Sequence, residues 1–254
     1  MSCLEGVQQV KLGGLTINAL TRSEWTELLI QDFQRSRVRP GPPRVLSSAN
    51  GNVISLYGRD AAFRALMADM DAVDVDGMPL VYFSRLKHES PLPERVATTD
   101  FFHDAARVAE IHGMSFYLLG GEGAENARAA RAVRRHYPGL RIAGARHGYF
   151  DPAEEGDIVA EIRDSGADVL WVGLGVPREQ AFMVRNRSRL EGLTWIKSCG
   201  GLFNFLSGTR RRAPVWMQRA GLEWSFRLAQ EPRRLAVRYA LTNVHALYRM
   251  LVIP

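Results

Sequence analysis

The segment DAVDVDGMPL, residues 71–80, places three aspartates in a stretch that is otherwise typical of a buried strand running into a helix. Aspartate and glycine are poor strand formers, so stability alone does not explain them. Asp74 and Asp76 point to the same side of a strand, and this spacing could hold a divalent metal. Alternatively, Asp76 is a single carboxylate that deprotonates a hydroxyl, or the segment is only a polar turn. Asp71 is predicted to end the preceding helix.

Three glycine-rich turns form a second group of candidates: LLGGEGAEN (118–126), VGLGVPREQAF (172–182) and SCGGLFNFLSG (198–208). Glycine lets the backbone approach a ligand closely, and free N–H groups at a helix start attract phosphate. The first turn has three interpretations: a plain strand-to-helix connection, a phosphate-facing loop, or an NAD site, which its incomplete G-x-G-x-x-G spacing disfavours. The candidate binding residues in these turns are Gly120, Gly121, Gly175, Pro177, Arg178, Glu179, Gln180, Gly200, Gly201 and Asn204.

A repeating order of strand-like and helix-like segments must position these residues. Six such strands are predicted, in RVLSS, DAVDV, SFYLLG, RIAGA, DVLWVGLG and TWIKSCGG, and each is followed by a helical pattern. A βαβ series of this kind predicts a parallel sheet covered on both faces. In such sheets ligands bind beyond the carboxyl ends of the strands. Ser48, Asn50, Asp76, Gly77 and the three glycine turns are all predicted to lie at those ends.

The predicted fold class is therefore α/β: a Rossmann-like parallel sheet with helices on both faces, plus a small helical C-terminal appendage. VKLGGLTIN predicts a hairpin ahead of the sheet, and Thr21 and Glu24 have the spacing of a capping box at the start of the first helix. After Gly208 the pattern changes to two or three helices separated near Pro214 and Pro232. We therefore predict a Rossmann-like domain at 1–208 and a basic, aromatic helical appendage at 209–254.

The basic character of the chain belongs to this tail. The whole protein has a formal charge of +6, whereas residues 210–254 contain nine arginines and two acids. Arg227, Arg234 and Arg238 are spaced to share one helical face. Basic residues mixed with tryptophan and tyrosine favour attachment to an anionic membrane surface, although a packed helix hairpin with a solvated face is the alternative. No nucleic-acid partner is predicted, because no recognised nucleic-acid module is present.

Composition argues against several classes of protein: disulfide-rich, zinc-binding, membrane-spanning and secreted. The chain has 254 residues and only two cysteines, Cys3 and Cys199, so free thiols are expected rather than a disulfide framework or a zinc site. No apolar run reaches the ~18 residues of a spanning helix, and the first residues lack the pattern of a signal peptide. We therefore expect a cytoplasmic protein, or one that lies on a membrane without crossing it.

An ordered series of sequence blocks resembles the WecG/TagA/CpsF-type glycosyltransferases, glycosyltransferase family 26. The resemblance runs from about Val45 to Arg238. Its blocks are SAN, DVDGMPLVY, ERVATTDFF, FYLLGGEGAENARAA, YPGLRIAG…GYF, DVLWVGLGVPREQAFM, GGLFNFLSGTRRRAP and GLEWSFRLAQEPRR…RY.

The resemblance implies a Rossmann-like catalytic domain and an appendage that helps to complete the active site and to bind the membrane. It implies inverting transfer of a sugar from a UDP-sugar donor to a polyprenyl-diphosphate-linked acceptor, with no cofactor and no essential metal. Asp76 takes the position of the family's proposed base, and Ser48 and Asn50 match its T-x-N block, with serine in place of threonine. Other residues implied to contact the substrates are Gly77, Arg95, Arg211, Arg227, Arg234 and Arg238.

Three departures from the family pattern bear on specificity. Glu179 stands where the family usually has glutamine, Asn204 replaces the usual aspartate, and Asp74 is not a regular family feature, which argues against the metal pair. The donor is left open among UDP-glucose, UDP-glucuronate and UDP-N-acetylmannosamine. The departures suggest a hexosyltransferase of exopolysaccharide assembly, for example a β-1,4-glucosyltransferase, on the cytoplasmic face of the inner membrane.

The rival interpretation is a non-catalytic nucleotide-binding module of a polysaccharide complex. Asp76 argues against this module, because diphosphate binding alone does not call for a carboxylate beside the phosphates. Homo-oligomerisation is left open.

Overall fold

A computed structural model describes residues 4–253 of the chain, with only the backbone of Arg234 and Arg238. The strands are β1 (Gln9–Leu12), β2 (Leu15–Asn18), β3 (Arg44–Ala49), β4 (Ala72–Val75), β5 (Ser115–Gly120), β6 (Arg141–Arg146), β7 (Val169–Gly173) and β8 (Trp195–Ser198). The helices of the first two thirds are α1 (Arg22–Val38), α2 (Gly51–Arg59), α3 (Ala61–Ala68), α4 (Met78–Lys87), α5 (Thr98–His112), α6 (Gly123–His136), α7 (Glu155–Asp164) and α8 (Arg178–Asn186). The last third contains α9 (Leu202–Leu206), α10 (Val215–Arg219), α11 (Glu223–Gln230) and α12 (Pro232–Val252).

Six strands form one parallel sheet in the order β4-β3-β8-β7-β5-β6. Alternate residues of a strand face opposite sides, and both sides of this sheet are covered. On β5, Phe116 and Leu118 join the core beneath α1, α5 and α6, whereas Tyr117 and Leu119 join the core beneath α7 and α8. The predicted Rossmann-like α/β fold is confirmed, and the carboxyl ends of all six strands lie along one edge.

The predicted features ahead of the sheet are also present. β1 and β2 pair in antiparallel fashion around Gly13 and Gly14, whose positive φ angles suit a two-residue turn. Thr21 caps α1 by accepting from the Glu24 N–H, while the Glu24 carboxylate accepts from the Thr21 N–H. This capping box fixes where α1 begins.

The C-terminal segment forms three helices that pack back on the first part of the chain. Near the end of α12, Ala246 and Met250 belong to the main core cluster, and the Arg249 guanidinium donates to the Gly13 carbonyl at 2.7 Å. His245 of α12 is hydrogen-bonded to Ser55 of α2 at 3.0 Å. The appendage is thus packed against α2 and the hairpin. Within residues 4–253, no helix combines the length and the apolar character needed to cross a membrane.

Candidate active site

The candidate site begins where β3 and β4 end side by side. The Ala49 carbonyl of β3 accepts hydrogen bonds from the N–H groups of Asp76 and Gly77, at 2.9 and 3.2 Å. Asn50 caps α2, because its Oδ1 accepts from the Val53 N–H at 3.2 Å. A Cβ placed on Gly77 would lie 3.4 Å from the Asn50 Cα, so glycine lets the two turns approach closely. Asp76 and Asn50 are therefore brought together at one edge of the sheet, as predicted.

Asp76 is held from two directions. Its Oδ1 accepts the N–H of Thr98, the first residue of α5, at 3.1 Å, and its carbonyl accepts from Arg95 Nε at 2.7 Å. An α-helix N-terminus presents unpaired N–H groups and a partial positive charge, which suits a carboxylate. The Asp76 carboxylate thus has a fixed orientation while its side chain remains partly open to solvent.

Beneath Asp76 lies a buried polar cluster formed by Ser48, Asp74 and Lys197. The Lys197 ammonium is 2.6 Å from the Asp74 carboxylate and 2.7 Å from Ser48 Oγ. Ser48 Oγ is in turn 3.3 Å from the Thr98 hydroxyl. Burial raises the pKa of Asp74 above its ordinary value, and the charge of Lys197 opposes that rise. The carboxylate that could have completed a D-x-D metal pair is thus already paired with a cation.

The first glycine turn is built mainly by close strand packing. A Cβ on Gly120 would overlap the Gly173 carbonyl of the neighbouring strand β7, and φ at Gly120 is +139°. The Gly121 N–H donates to that same carbonyl at 3.3 Å. The N-terminus of α6, which follows, has no side-chain cap. A phosphate at this turn would therefore meet the start of α6 rather than the Gly121 N–H.

The second and third glycine turns are tied together by Glu179. Its carboxylate accepts from the N–H groups of Gly175 and Gly200, at 3.0 and 3.2 Å, and its side chain is buried. Gln180 is also buried and donates to Ser47 Oγ at 3.1 Å. Both side chains therefore bind the protein itself in this structure. The neighbouring Pro177 and Arg178 are exposed at the start of α8.

Glu179 predicts a specific pH dependence of stability. Burial raises its pKa from 4.5 to about 7. The carboxyl therefore ionises at a lower pH in the unfolded chain than in the folded protein. Its contribution to stability is complete below about pH 4.5 and is lost as the pH rises through about 7.

A Glu179→Gln variant keeps an oxygen that can accept from Gly175 and Gly200 but cannot ionise. We expect it to be more stable than the wild type at pH 8, by on the order of 3 kcal/mol, and to differ little at pH 4. Urea unfolding at both pH values measures this. Glu155→Gln is the control in which stability should change with pH in the opposite direction. Arg185 lowers the pKa of Glu155, so this substitution should cost more stability at pH 8 than at pH 4. Equal stabilities of Glu179→Gln and wild type at pH 8 would contradict the prediction.

The third turn meets the appendage at Gly201 and Asn204. Asn204 Nδ2 donates to the Glu125 carboxylate of α6 at 2.6 Å. An aspartate at 204 would bring two carboxylates together, so the asparagine suits its neighbour. A Cβ on Gly201 would lie 3.9 Å from terminal nitrogens of both Arg210 and Arg227. Two guanidinium groups therefore stand over the end of β8.

The profile of one known family covers almost the whole chain. It is described as the Glycosyl transferase WecG/TagA/CpsF family, and it matches residues 10–253. The chain is a member of this glycosyltransferase family. The resemblance noted from the sequence blocks is thereby confirmed. The protein is a sugar transferase of a kind that acts in cell-surface glycan synthesis.

Ion pairs attach the appendage of this transferase to the sheet edge that carries Asp76. Glu223 of α11 accepts from Arg95 at 2.6 Å, and Arg95 also holds the Asp76 carbonyl. Arg212 pairs with Asp100 in the first turn of α5 and contacts Glu223 at 3.4 Å. The appendage is thus joined through charged side chains to the two segments that hold Asp76.

The appendage arginines fall into different environments. Arg227 lies on α11 with its guanidinium 5.8 Å from the centre of the Phe205 ring, and Arg211 is exposed. The expectation that Arg227, Arg234 and Arg238 share one helical face is wrong, because α11 ends at Gln230 and the other two belong to α12. The side chains of Arg234 and Arg238 lie outside the described residues, so their contact with substrate stays a prediction.

Asp71 also differs from its predicted role. The helix α3 ends at Ala68, and the Asp71 carboxylate instead accepts from the Val45 N–H at 2.7 Å and pairs with Arg187 at 2.9 Å. It therefore joins the amino ends of β3 and β4. The contact is long-range, which is why the local helix pattern did not reveal it.

Sequence reasoning missed Lys197 and Thr98. Lys197 carried a signal: it is one of three lysines against thirty arginines, and it is the charged residue of the buried strand Trp195–Ser198. A charge in a strand that is buried on both faces calls for a partner. Thr98 carried no comparable signal. In the region from 4 to 253, no group of three or more His, Cys, Asp or Glu side chains forms a metal site, and metal independence stays a prediction.

The cysteine that the structure describes is not an activated nucleophile. Cys199 is a buried free thiol, and burial raises its pKa well above the ordinary value. Cys3 lies outside the described residues.

Proposed function

We propose that this transferase moves a hexose-type sugar from a UDP-sugar to a polyprenyl-diphosphate-linked saccharide, with inversion at the anomeric carbon. One observation supports this most strongly: an oriented, partly open carboxylate, Asp76, beside a sheet edge where arginines gather. A base needs access to the proton that it removes, and a departing diphosphate needs positive charge. Asp76 meets the first need. Arg227 near Gly201 meets the second, whereas the neighbouring Arg210 is paired with Glu231.

The proposed reaction is a single displacement. The acceptor hydroxyl oxygen attacks C1 of the donor sugar, and Asp76 takes the hydroxyl proton as the new C–O bond forms. The bond between C1 and the diphosphate oxygen breaks, and UDP leaves with the bonding electron pair. The N-terminus of α6 and the Arg227 guanidinium are placed to stabilise the developing negative charge. Attack from the side opposite to UDP inverts the configuration at C1.

A donor screen identifies which UDP-sugar the enzyme uses. UDP-glucose, UDP-glucuronate and UDP-N-acetylmannosamine are each incubated with purified polyprenyl-diphosphate-sugar acceptors, and the products are read by mass spectrometry. Departures at Ser48, Glu179 and Asn204 favour a hexosyltransferase, such as a β-1,4-glucosyltransferase, over the N-acetylmannosamine enzymes. Parallel reactions with EDTA and with Mg²⁺ test metal independence. Calorimetric binding of UDP without transfer from any donor would favour a non-catalytic nucleotide-binding module instead.

We further propose that α12 rests on the cytoplasmic face of the inner membrane. Its residues 237, 241, 244, 248 and 251 alternate at spacings of four and three, which places them on one face. These residues, Val237, Leu241, Val244, Tyr248 and Leu251, are all more than half exposed. An apolar stripe on a basic segment fits the surface of an anionic bilayer. Homo-oligomerisation, which would also cover this face, is the competing outcome.

A Leu241→Glu/Val244→Glu variant tests the membrane contact. We expect its partition onto phosphatidylglycerol-containing vesicles to fall at least ~10-fold, because two exposed aliphatic side chains that would enter the bilayer surface are replaced by charges. Cosedimentation measures the bound fraction, and light scattering records the oligomeric state. Val38→Glu is the control, since Val38 is equally apolar and exposed but ends α1. Unchanged partition of the α12 variant would contradict the proposal.

A further inference from the structure

The buried cluster under Asp76 spans three neighbouring strands. Ser48 of β3 is the register partner of Asp74 of β4, and Leu46 of β3 is the partner of Lys197 of β8. Because Leu46 and Ser48 are two residues apart, Ser48, Asp74 and Lys197 all point to the same face of the sheet. The lysine on β8 therefore reaches diagonally across β3 to a carboxylate on β4.

Contacts in the cluster fix Ser48 as a hydrogen-bond acceptor toward Lys197 and leave its own hydrogen to be donated. Lysine ammonium is a donor only, so Ser48 Oγ accepts the 2.7 Å hydrogen bond from Lys197. The Ser48 hydrogen must then go elsewhere. The protein acceptors within reach are Thr98 Oγ1 at 3.3 Å and the Asp74 carboxylate, and a bound substrate oxygen would compete with them. Ser48 is the outermost of the three, since it is 9% exposed whereas the side chains of Lys197 and Asp74 are only 1% and 2% exposed.

Stability is a poor explanation for such a pair. Removing charges from water costs free energy that their attraction often fails to recover, and well-packed apolar residues are frequently as stable or more so. Asp74 Oδ1 also lacks any hydrogen-bond partner. A second buried pair, Arg44 with Asp32 at 2.6 Å, lies at the amino end of the same sheet, where no candidate site residue is found. Only the pair formed by Lys197 and Asp74 therefore lies next to a candidate site residue, Asp76.

We propose that Lys197 and Asp74 are positioning residues for the transferase site: the ammonium, held by Asp74, orients the Ser48 hydroxyl toward the carboxyl edge of the sheet, where Asp76 lies. This inference rests on the proposed function. It adds the buried residues Lys197 and Asp74 to the site that Asp76 marks. An oriented hydroxyl donates to an oxygen of the donor's sugar or phosphate without having to reorganise as the reaction proceeds. Lys197 and Asp74 touch no substrate themselves, so they act through Ser48.

The test is a cycle of variants built on the full chain. Lys197→Met/Asp74→Asn removes both charges while keeping the side-chain volumes, so that no unpaired charge is left buried. We expect kcat to fall about 10²-fold, the size of effect that small misplacements produce, with the donor KM within about twofold of wild type. Ser48→Ala should cost about as much in the wild type but less than about twofold in the double variant, because the same interaction is already gone.

Lysine NMR tests the hydrogen bond independently of activity. The protein has only Lys11, Lys87 and Lys197, and the first two are exposed, so a slowly exchanging ammonium signal belongs to Lys197. We expect this ¹⁵N signal to shift in Ser48→Ala and to vanish in Lys197→Met. A signal that Ser48→Ala leaves unchanged would overturn the inference whether or not the donor is known.

The control separates positioning from folding. Arg44→Met/Asp32→Asn removes the pair at the opposite end of the sheet and weakens the 2.7 Å hydrogen bond that Asp32 accepts from Trp195, so it should change the melting temperature with kcat unchanged. If the wild type transfers sugar and Lys197→Met/Asp74→Asn is equally fast, the inference is wrong and the proposed function stands. If the wild type transfers no sugar, the proposed function fails, and the NMR result alone decides whether Lys197 holds Ser48.

Discussion

An Asp76→Asn variant should bind UDP with wild-type affinity and transfer sugar at least ~10²-fold more slowly. The amide loses the ability to take a proton, which is the contribution of a general base, but it keeps an oxygen that can accept the Thr98 N–H. The fold and the position of the side chain are therefore expected to survive. Turnover with the lipid acceptor measures the loss, and calorimetry with UDP measures binding. A loss of kcat without a loss of affinity assigns Asp76 to the chemical step.

Asp71→Asn is the matched control for this experiment. Asp71 lies just before the same strand, but at its other end, where it bonds to Val45 and Arg187. We expect this substitution to lower stability and to leave turnover within about twofold. Near-normal turnover of Asp76→Asn would remove Asp76 from the mechanism, and equal losses in both variants would indicate a structural effect.

An Arg95→Met variant should have a kcat about 10- to 100-fold lower than that of the wild type. The Arg95 guanidinium is shared between the Asp76 carbonyl at 2.7 Å and the Glu223 carboxylate at 2.6 Å, so its removal frees both the base and the appendage. Small displacements of a reacting group cost up to about 10² in rate. Arg95→Lys keeps the charge but not the planar fork, and it should recover only part of the activity. Steady-state kinetics with the lipid acceptor give these values.

The connection to the appendage is tested by adding Glu223→Gln. Because Arg95 and Glu223 share one contact, the double variant should be little slower than Arg95→Met alone. Arg107→Met is the control, since Arg107 pairs with Asp104 at 2.9 Å on the exposed side of α5 and should be neutral. Additive losses would mean that Arg95 and Glu223 serve the reaction separately. An active Arg95→Met variant would refute the link between the appendage and Asp76.

The local patterns that proved reliable share a physical cause. Strand and helix alternation, the Thr21 capping box and the Gly13–Gly14 turn depend on residues near each other in the chain, and all are present. The parallel order then forces strand ends to one edge, so Asp76 and Asn50 could be placed together in advance. Predictions that depended on helix continuity were weaker. Arg227 was wrongly grouped on one helical face with Arg234 and Arg238, which lie on α12, beyond the predicted break near Pro232.

The sequence by itself determined the fold class, the family and the location of Asp76 at a strand end, because these follow from periodicity, turn residues and ordered blocks. Tertiary structure alone decided the partners of the buried charges. Lys197 meets Asp74 only because β8 lies beside β3 in the sheet, and Glu179 closes on Gly175 and Gly200 only after β7 and β8 are paired. Such contacts join distant segments, and their strength depends on a burial that local sequence does not specify.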